Sequence, residues 1–447
     1  MSARLDSVSK CFCVAKFKQV TLHLQNGMLH SCHHPVPHKI PLEELSRPSA
    51  LANTLHLLTA RQEMLAGKRP TECDYCWRAE DSGSKLSDRH FKSAELWARD
   101  FFDEAASSKP GQHHLPAYLE VSFSNKCNLK CSYCSPQSSS AWMQEIQKHG
   151  EYSLSDGEKH LSQFSNPASP QFFQEEDNPY IKAFWEWWPE LYPALKVFRI
   201  TGGEPLLSQN TFRVLDSIKE NTHRDLQLAI NSNLAVPAPV LDRFLQSSRA
   251  VLDATPLKRF TVYSSIDTWG AGAAYLRDGL DSEIWAANVW KTLETLPEIN
   301  FTVMCTFNNL SISNFEGLLE FVLKLKNRFS PSNGSRITLD LSFLRGPEHQ
   351  GLLILDAEHL ARLKKLESTM LNMHTTALKS GLGFEGAELE KMRRIIQWSE
   401  EPVEAEKLRR LRKNFYRYFS ELDRRRGTDF LKTFPEMRNF WNECQSL

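Results

Sequence analysis

The chain has 447 residues, enough for two or three domains and a large buried core. Its 54 basic and 54 acidic side chains cancel, which excludes a global pull toward nucleic acid or anionic membrane. No run of ~18 apolar residues exists and the opening "MSARLDSVSKCFCVAKFKQ" has no apolar signal region, so a cytoplasmic protein with no membrane partner is expected, whose ten cysteines serve as metal ligands or catalytic groups rather than disulfides.

In chain order, the first predicted element is a hairpin. "QVTLHLQ" and "MLHSC" flank Asn26-Gly27, a type I′ turn signal, and set Cys13 and Cys32 at its open end. "RPTECDYCWRAED" then supplies Cys73 and Cys76 in a C-x-x-C that clamps one metal. Four thiolates at one point make a structural zinc site or a fully ligated 4Fe–4S cluster. Cys11 is a spare, and the hairpin length favours Cys13. His30, His33 and His34 surround Cys32 and read as exposed or supporting residues.

Six short apolar runs follow: 118–124, 195–201, 226–232, 260–267, 300–307 and 337–344. They read as parallel strands covered on both faces, with amphipathic stretches between them. The alternation implies right-handed βαβ units, in a partial barrel or an open doubly wound sheet. The connection 162–179 is polar, Pro-punctuated and irregular; "KAFWEWWPELYPAL" is a helix whose aromatics pack on the sheet. From 356 onward only helical patterns remain, including the basic, aromatic-interleaved segment 407–427. Contact of that segment with RNA or an acidic peptide is the alternative to a solvated helix face.

The first of the six strands leads into "SNKCNLKCSYCSP", where Cys127, Cys131 and Cys134 are spaced C-x-x-x-C-x-x-C. Three local thiolates are one short of a closed zinc site or a ferredoxin-type cluster. Loops at the carboxyl ends of such strands build active sites, and a cubane held by three thiolates leaves one iron open. The spacing, with Tyr133 in an aromatic slot, resembles the radical S-adenosylmethionine (radical SAM) enzymes. A second likeness is "RITGGEPLL", one βα unit later.

The resemblance, over residues 117–345, implies an α/β fold: a partial (β/α)6 TIM-like barrel. It implies a SAM-binding 4Fe–4S cluster on Cys127, Cys131 and Cys134, reductive cleavage of SAM to a 5′-deoxyadenosyl radical, and hydrogen-atom abstraction. Gly202, Gly203, Glu204 and Pro205 match the segment that receives the methionine amino group, and with Tyr133 are expected to seat SAM. Asn233, Ser265 and Asp267 lie where ribose or carboxylate contacts are expected, and Asn308 has a similar location. The spacing of Cys13, Gly27 and Cys32 resembles the SPASM and twitch auxiliary-cluster hairpins, here placed before the core instead of after it. It implies a second, auxiliary 4Fe–4S cluster on Cys13, Cys32, Cys73 and Cys76, with zinc as the lesser alternative. The expected domains are a twitch-like unit at 1–100, the core at 115–350 and a helical segment at 351–447. The expected substrate is a peptide or protein side chain, with a nucleotide, RNA, sugar or other small molecule as the alternative. An external one-electron reductant such as flavodoxin or ferredoxin is implied. A non-catalytic redox sensor is the reading from another class. Cys305 and Cys444 read as buried small hydrophobes.

Overall fold

The computed structural model describes residues 1–84, 86–157, 159–160, 172–330, 334–379 and 381–447. The part of the irregular connection at 162–171 lies outside the described residues. The chain divides into two compact units, one of residues 1–124, 171–230 and 251–259, the other of residues 125–170, 231–250 and 260–447. The first unit runs through residue 100 and the second through residue 350.

In the first unit the strand Gln19–His23 pairs in parallel with Tyr118–Ser122, Val20 opposite Leu119 and Leu22 opposite Val121. The cysteine hairpin is therefore an extension of the α/β sheet and not a separate module. Strands run in the order Gln227–Ser232, Val197–Thr201, Tyr118–Ser122, Gln19–His23, Met28–His30 and His38–Lys39, the last two antiparallel. The hairpin turn also departs from expectation. Residues 24–27 form a four-residue loop, and there only Gly27 takes a positive φ, 65°. Leu24 continues the parallel pairing through its N–H to Ser122 O at 2.9 Å, which moves the turn outward. A Cβ on Gly27 would stand 2.0 Å from the Tyr180 ring, so the loop requires glycine. The Trp-rich segment is the helix Pro179–Leu191, capped by Asn178, with Trp187 and Trp188 buried as expected.

The second unit holds the parallel strands Arg259–Ser265, Asn300–Phe307 and Ile337–Phe343. Within each unit successive parallel strands lie side by side in chain order, without the reversal that marks a doubly wound switch point. The fold is α/β, mostly parallel and TIM-like. One expectation is corrected: in Val197–Thr201 and Ile337–Phe343 burial alternates, so one face is sealed by apolar side chains and the other is only half covered. Polar side chains occupy that second face, where Thr201 Oγ1 donates to Glu120 at 3.3 Å and Arg199 stands 3.9 Å from the same carboxylate.

The C-terminal helices Ala357–Ala377, Gly386–Ser399, Ala405–Arg426 and Arg438–Ser446 belong to the second unit. The interleaved aromatics of the basic segment face inward: Phe415, Tyr418 and Phe419 pack with Trp142, Tyr152, Phe430 and Phe440. Burying each such side chain stabilises the unit by about 1.5–3 kcal/mol. No described helix is long and apolar enough to cross a membrane.

Candidate active site and thiol clusters

All ten cysteines are free thiols. The trio lies on the segment that follows the strand Tyr118–Ser122. Cys131 sits on a two-residue strand, Lys130–Cys131, paired antiparallel with Arg277–Asp278 so that Arg277 faces Cys131. Cys127 Sγ accepts from Leu129 N–H at 3.4 Å, and the Cys134 N–H donates to Cys131 O at 2.9 Å. Burial pushes the Cys131 thiol up and the Cys134 thiol to about 12, the latter helped by its neighbour Cys131. Such thiols stay protonated until a metal displaces the proton.

Several side chains hold the cysteine segment. Ser139 caps the following helix, Ser140–His149, and its Oγ donates to Leu129 O at 2.8 Å. From the C-terminal helix, Tyr418 OH donates to Ser132 O, and Arg426 donates to Lys130 O at 3.0 Å and to Glu145 at 3.1 Å. That helix is part of the site's scaffold; the sequence pattern had it as decoration.

Arg277 is the residue that motif reading missed. It is 6% exposed and its guanidinium meets Asp267 through both oxygens, at 2.9 and 3.0 Å. It also donates to Tyr133 OH at 2.6 Å and to Cys131 Sγ at 3.5 Å. Tyr133 OH donates in turn to Asp267 at 2.8 Å, and the Thr306 N–H donates to the same carboxylate at 3.0 Å. Asp267 is fully buried with both oxygens engaged by the protein, and it orients Arg277 and Tyr133. Asn233 is likewise engaged, donating to Asn128 Oδ1 at 2.9 Å and accepting from the Ala235 N–H at 2.8 Å, which ties it to the cysteine segment. Ser265 ends its strand half-buried. Asn308 is fully buried and caps its own turn, accepting from the Leu310 N–H at 3.0 Å. Cys305 is buried, as expected of a small hydrophobe.

In the first unit the glycine-rich turn follows the strand Val197–Thr201. Gly202 has φ 123°, and a Cβ there would lie 2.5 Å from Ser122 Oγ and 2.8 Å from Ser124 O. The Gly203 N–H donates to Ser124 O at 3.1 Å. Glu204, 2% exposed, caps the short 3-10 turn Pro205–Leu207 by accepting from the Leu206 N–H at 3.1 Å. Gly202→Ala is expected to lower unfolding stability by about 2–3 kcal/mol in denaturant titration, because the backbone there is open only to glycine and the clash is with main chain. A loss under 0.5 kcal/mol would show that the turn relaxes without cost.

Cys13, Cys32, Cys73 and Cys76 line one cavity with Lys16, His34 and Arg89. Their thiols influence one another's ionisation: Cys73 raises Cys13, Cys13 raises Cys76 and Cys32, and burial dominates in each, taking Cys32 to about 12. Cys11 is not among the lining residues; its Sγ donates to Gly67 O at 3.4 Å. The four thiols thus line one cavity without Cys11. Among the described residues, no three of these sulfurs lie within 4.8 Å of one another. His34 stacks on Tyr75 at 3.7 Å and bonds Asp88 at 2.5 Å, a supporting place and not a ligand's.

No protein-family model matches the chain. It is 25% identical over 240 residues to a GTP 3′,8-cyclase of Sulfurimonas denitrificans, covering 51% of this chain and 62% of that one. It is 27% identical over 232 residues to the radical SAM cyclopropyl synthase TigE of Paramaledivibacter caminithermalis, covering 51% and 42%. The chain thus spans about half the length of the curated relatives it matches. Two solved structures overlap it weakly. Streptococcus suis SuiB bound to S-adenosylmethionine is 14% identical over 82% of this chain and 70% of that one, with a TM-score of 0.34. The protein anSMEcpe with bound AdoMet is 16% identical over 59% and 63%, also at 0.34. Overlaps of that size carry no weight; through its cysteine trio and its relatives in sequence the chain is similar to radical SAM enzymes.

Proposed function

We propose that this chain is an enzyme that reductively cleaves SAM and abstracts a hydrogen atom from a peptide or protein side chain. The observation that carries the reading is the trio Cys127, Cys131 and Cys134 on one short segment, with Cys131 buried and fixed against Arg277. Cys127, Cys131 and Cys134 would hold a 4Fe–4S cluster, which would supply the electron for reductive cleavage of the SAM sulfonium. Cys131 and Cys134 offer thiolates, Arg277 places positive charge beside them, and Tyr133 and Asp267 hold Arg277 in position. Gly202, Gly203, Glu204 and Pro205 shape the turn assigned to the methionine end of SAM. Cys13, Cys32, Cys73 and Cys76 hold an auxiliary cluster that exchanges electrons with the active site, and a flavodoxin- or ferredoxin-type protein is the external reductant. The peptide reading rests on the SPASM-like thiol set. A second reading, a nucleotide substrate, is favoured by the two GTP 3′,8-cyclases among the relatives in sequence.

The protein, reconstituted without oxygen, is expected to carry about eight irons and to release 5′-deoxyadenosine from SAM and dithionite. No 5′-deoxyadenosine under any reducing condition would favour the sensor reading. About four irons with one zinc would remove the auxiliary cluster alone. Hydrogen transfer from a peptide against a nucleoside triphosphate, followed by deuterium in 5′-deoxyadenosine, separates the two substrates.

A further inference from the structure

Beside the four thiols, three other metal-binding side chains converge. His38 lies on the edge strand His38–Lys39, His56 on the helix Leu55–Leu65, and Glu72 on the turn Thr71–Cys73. One ligand atom from each lies within 4.8 Å of the other two, and among the described residues this is the one such triad. Lys16 takes Glu72 Oε1, while Oε2 is turned to His56 Nε2. The two imidazoles meet at a tilt of 37°, ring centroids 4.0 Å apart.

His38 supplies an independent sign. Its Nε2 pairs with Thr54 Oγ1 at 3.1 Å, a hydroxyl able to accept the ring's N–H. Its Nδ1 is buried and has no hydrogen-bond partner. A bare buried ring nitrogen is costly. A ligating histidine has this arrangement, with one nitrogen's N–H given to a polar neighbour and the other nitrogen's lone pair kept for the metal. Thr54 is itself fixed, since it caps the helix that carries His56 by accepting from the Leu57 N–H at 3.3 Å.

We infer that His38, His56 and Glu72 form a binding site for a zinc-class divalent cation. Two imidazoles and a carboxylate are borderline nitrogen and oxygen donors, which suit zinc, and three protein ligands leave a fourth position to water. The ion ties three segments together: the sheet edge, the helix Leu55–Leu65 and the turn that carries Cys73. Glu72 precedes Cys73 directly, so the site braces the C-x-x-C loop from its outer side without using its thiols.

The test is zinc binding by the reconstituted, chelator-washed full chain, read as bound zinc and iron per chain after desalting. The unaltered protein is expected to take up one zinc beyond its iron. His56→Gln, at a side chain 51% exposed, leaves the core untouched. Both His56→Gln and His38→Ala are expected to weaken zinc binding by at least about 100-fold with iron unchanged. Equal zinc uptake by the unaltered protein and His56→Gln would overturn the site. So would zinc that survives His56→Gln but disappears in Cys32→Ser, because that ion belongs to the thiols.

Discussion

Replacing Cys131 by alanine is expected to reduce 5′-deoxyadenosine release to background and to lower bound iron from about eight to about four per chain. The fold should survive. Cys131 is 9% exposed, and trimming one sulfur from the edge of the core costs about 1 kcal/mol. The remaining irons belong to the cavity of Cys13, Cys32, Cys73 and Cys76, which lies wholly in the other compact unit. Cys305→Ala provides the comparison. Cys305 is more deeply buried than Cys131, with its Sγ 3.5 Å from Asp267 O, yet it holds no iron in this account. That variant should keep both its iron and its SAM cleavage. Wild-type iron content in Cys131→Ala, with activity intact, would mean that the trio is not the catalytic ligand set.

The difference between these two cysteines was legible in the sequence because spacing carries it. Cys127, Cys131 and Cys134 are local to one another, and so is the Gly202-Gly203-Glu204-Pro205 turn. Short apolar runs likewise marked six of the parallel strands, though not the parallel pairing of Gln19–His23. The four-thiol convergence was legible for a related reason, since a hairpin and a C-x-x-C each pre-pair two sulfurs. What the sequence hid depends on contacts far apart in the chain. Gln19–His23 pairs with Tyr118–Ser122, and no local pattern announces a partner about 100 residues away. The aromatics at 415–419 read as interleaved with basic residues, and only the packed helix shows that they form a core while Arg426 reaches Lys130 O. Asn233 and Asp267 were assigned to a ligand by position, whereas the structure gives their polar atoms to the protein. Arg277 stood in "AAYLRDGL" beside Asp278, a pair of charges in an otherwise apolar stretch.

Arg277→Met is expected to destabilise the second unit by about 3–5 kcal/mol, seen as a lower unfolding midpoint in denaturant. The loss comes less from the ion pair than from what remains. Asp267 would be a carboxylate with no exposed surface, its counter-ion gone and only Tyr133 OH and the Thr306 N–H donating to it. Arg277→Lys should fall between, because one ammonium cannot span both Asp267 oxygens while also reaching Tyr133 and Cys131. The double variant Asp267→Leu with Arg277→Met separates stability from chemistry. It removes both charges together, so most of the stability should return. The donor to Cys131 Sγ stays missing, however, and a hydrogen bond to a ligating sulfur favours the reduced, more negative form of a cluster. The double variant should therefore fold, bind iron and show a lower midpoint potential by electron paramagnetic resonance, with slower SAM cleavage at a fixed dithionite potential. If the double variant regains stability and its potential equals that of the unaltered protein, Arg277 acts only as the partner of a buried carboxylate and has no part in tuning the site.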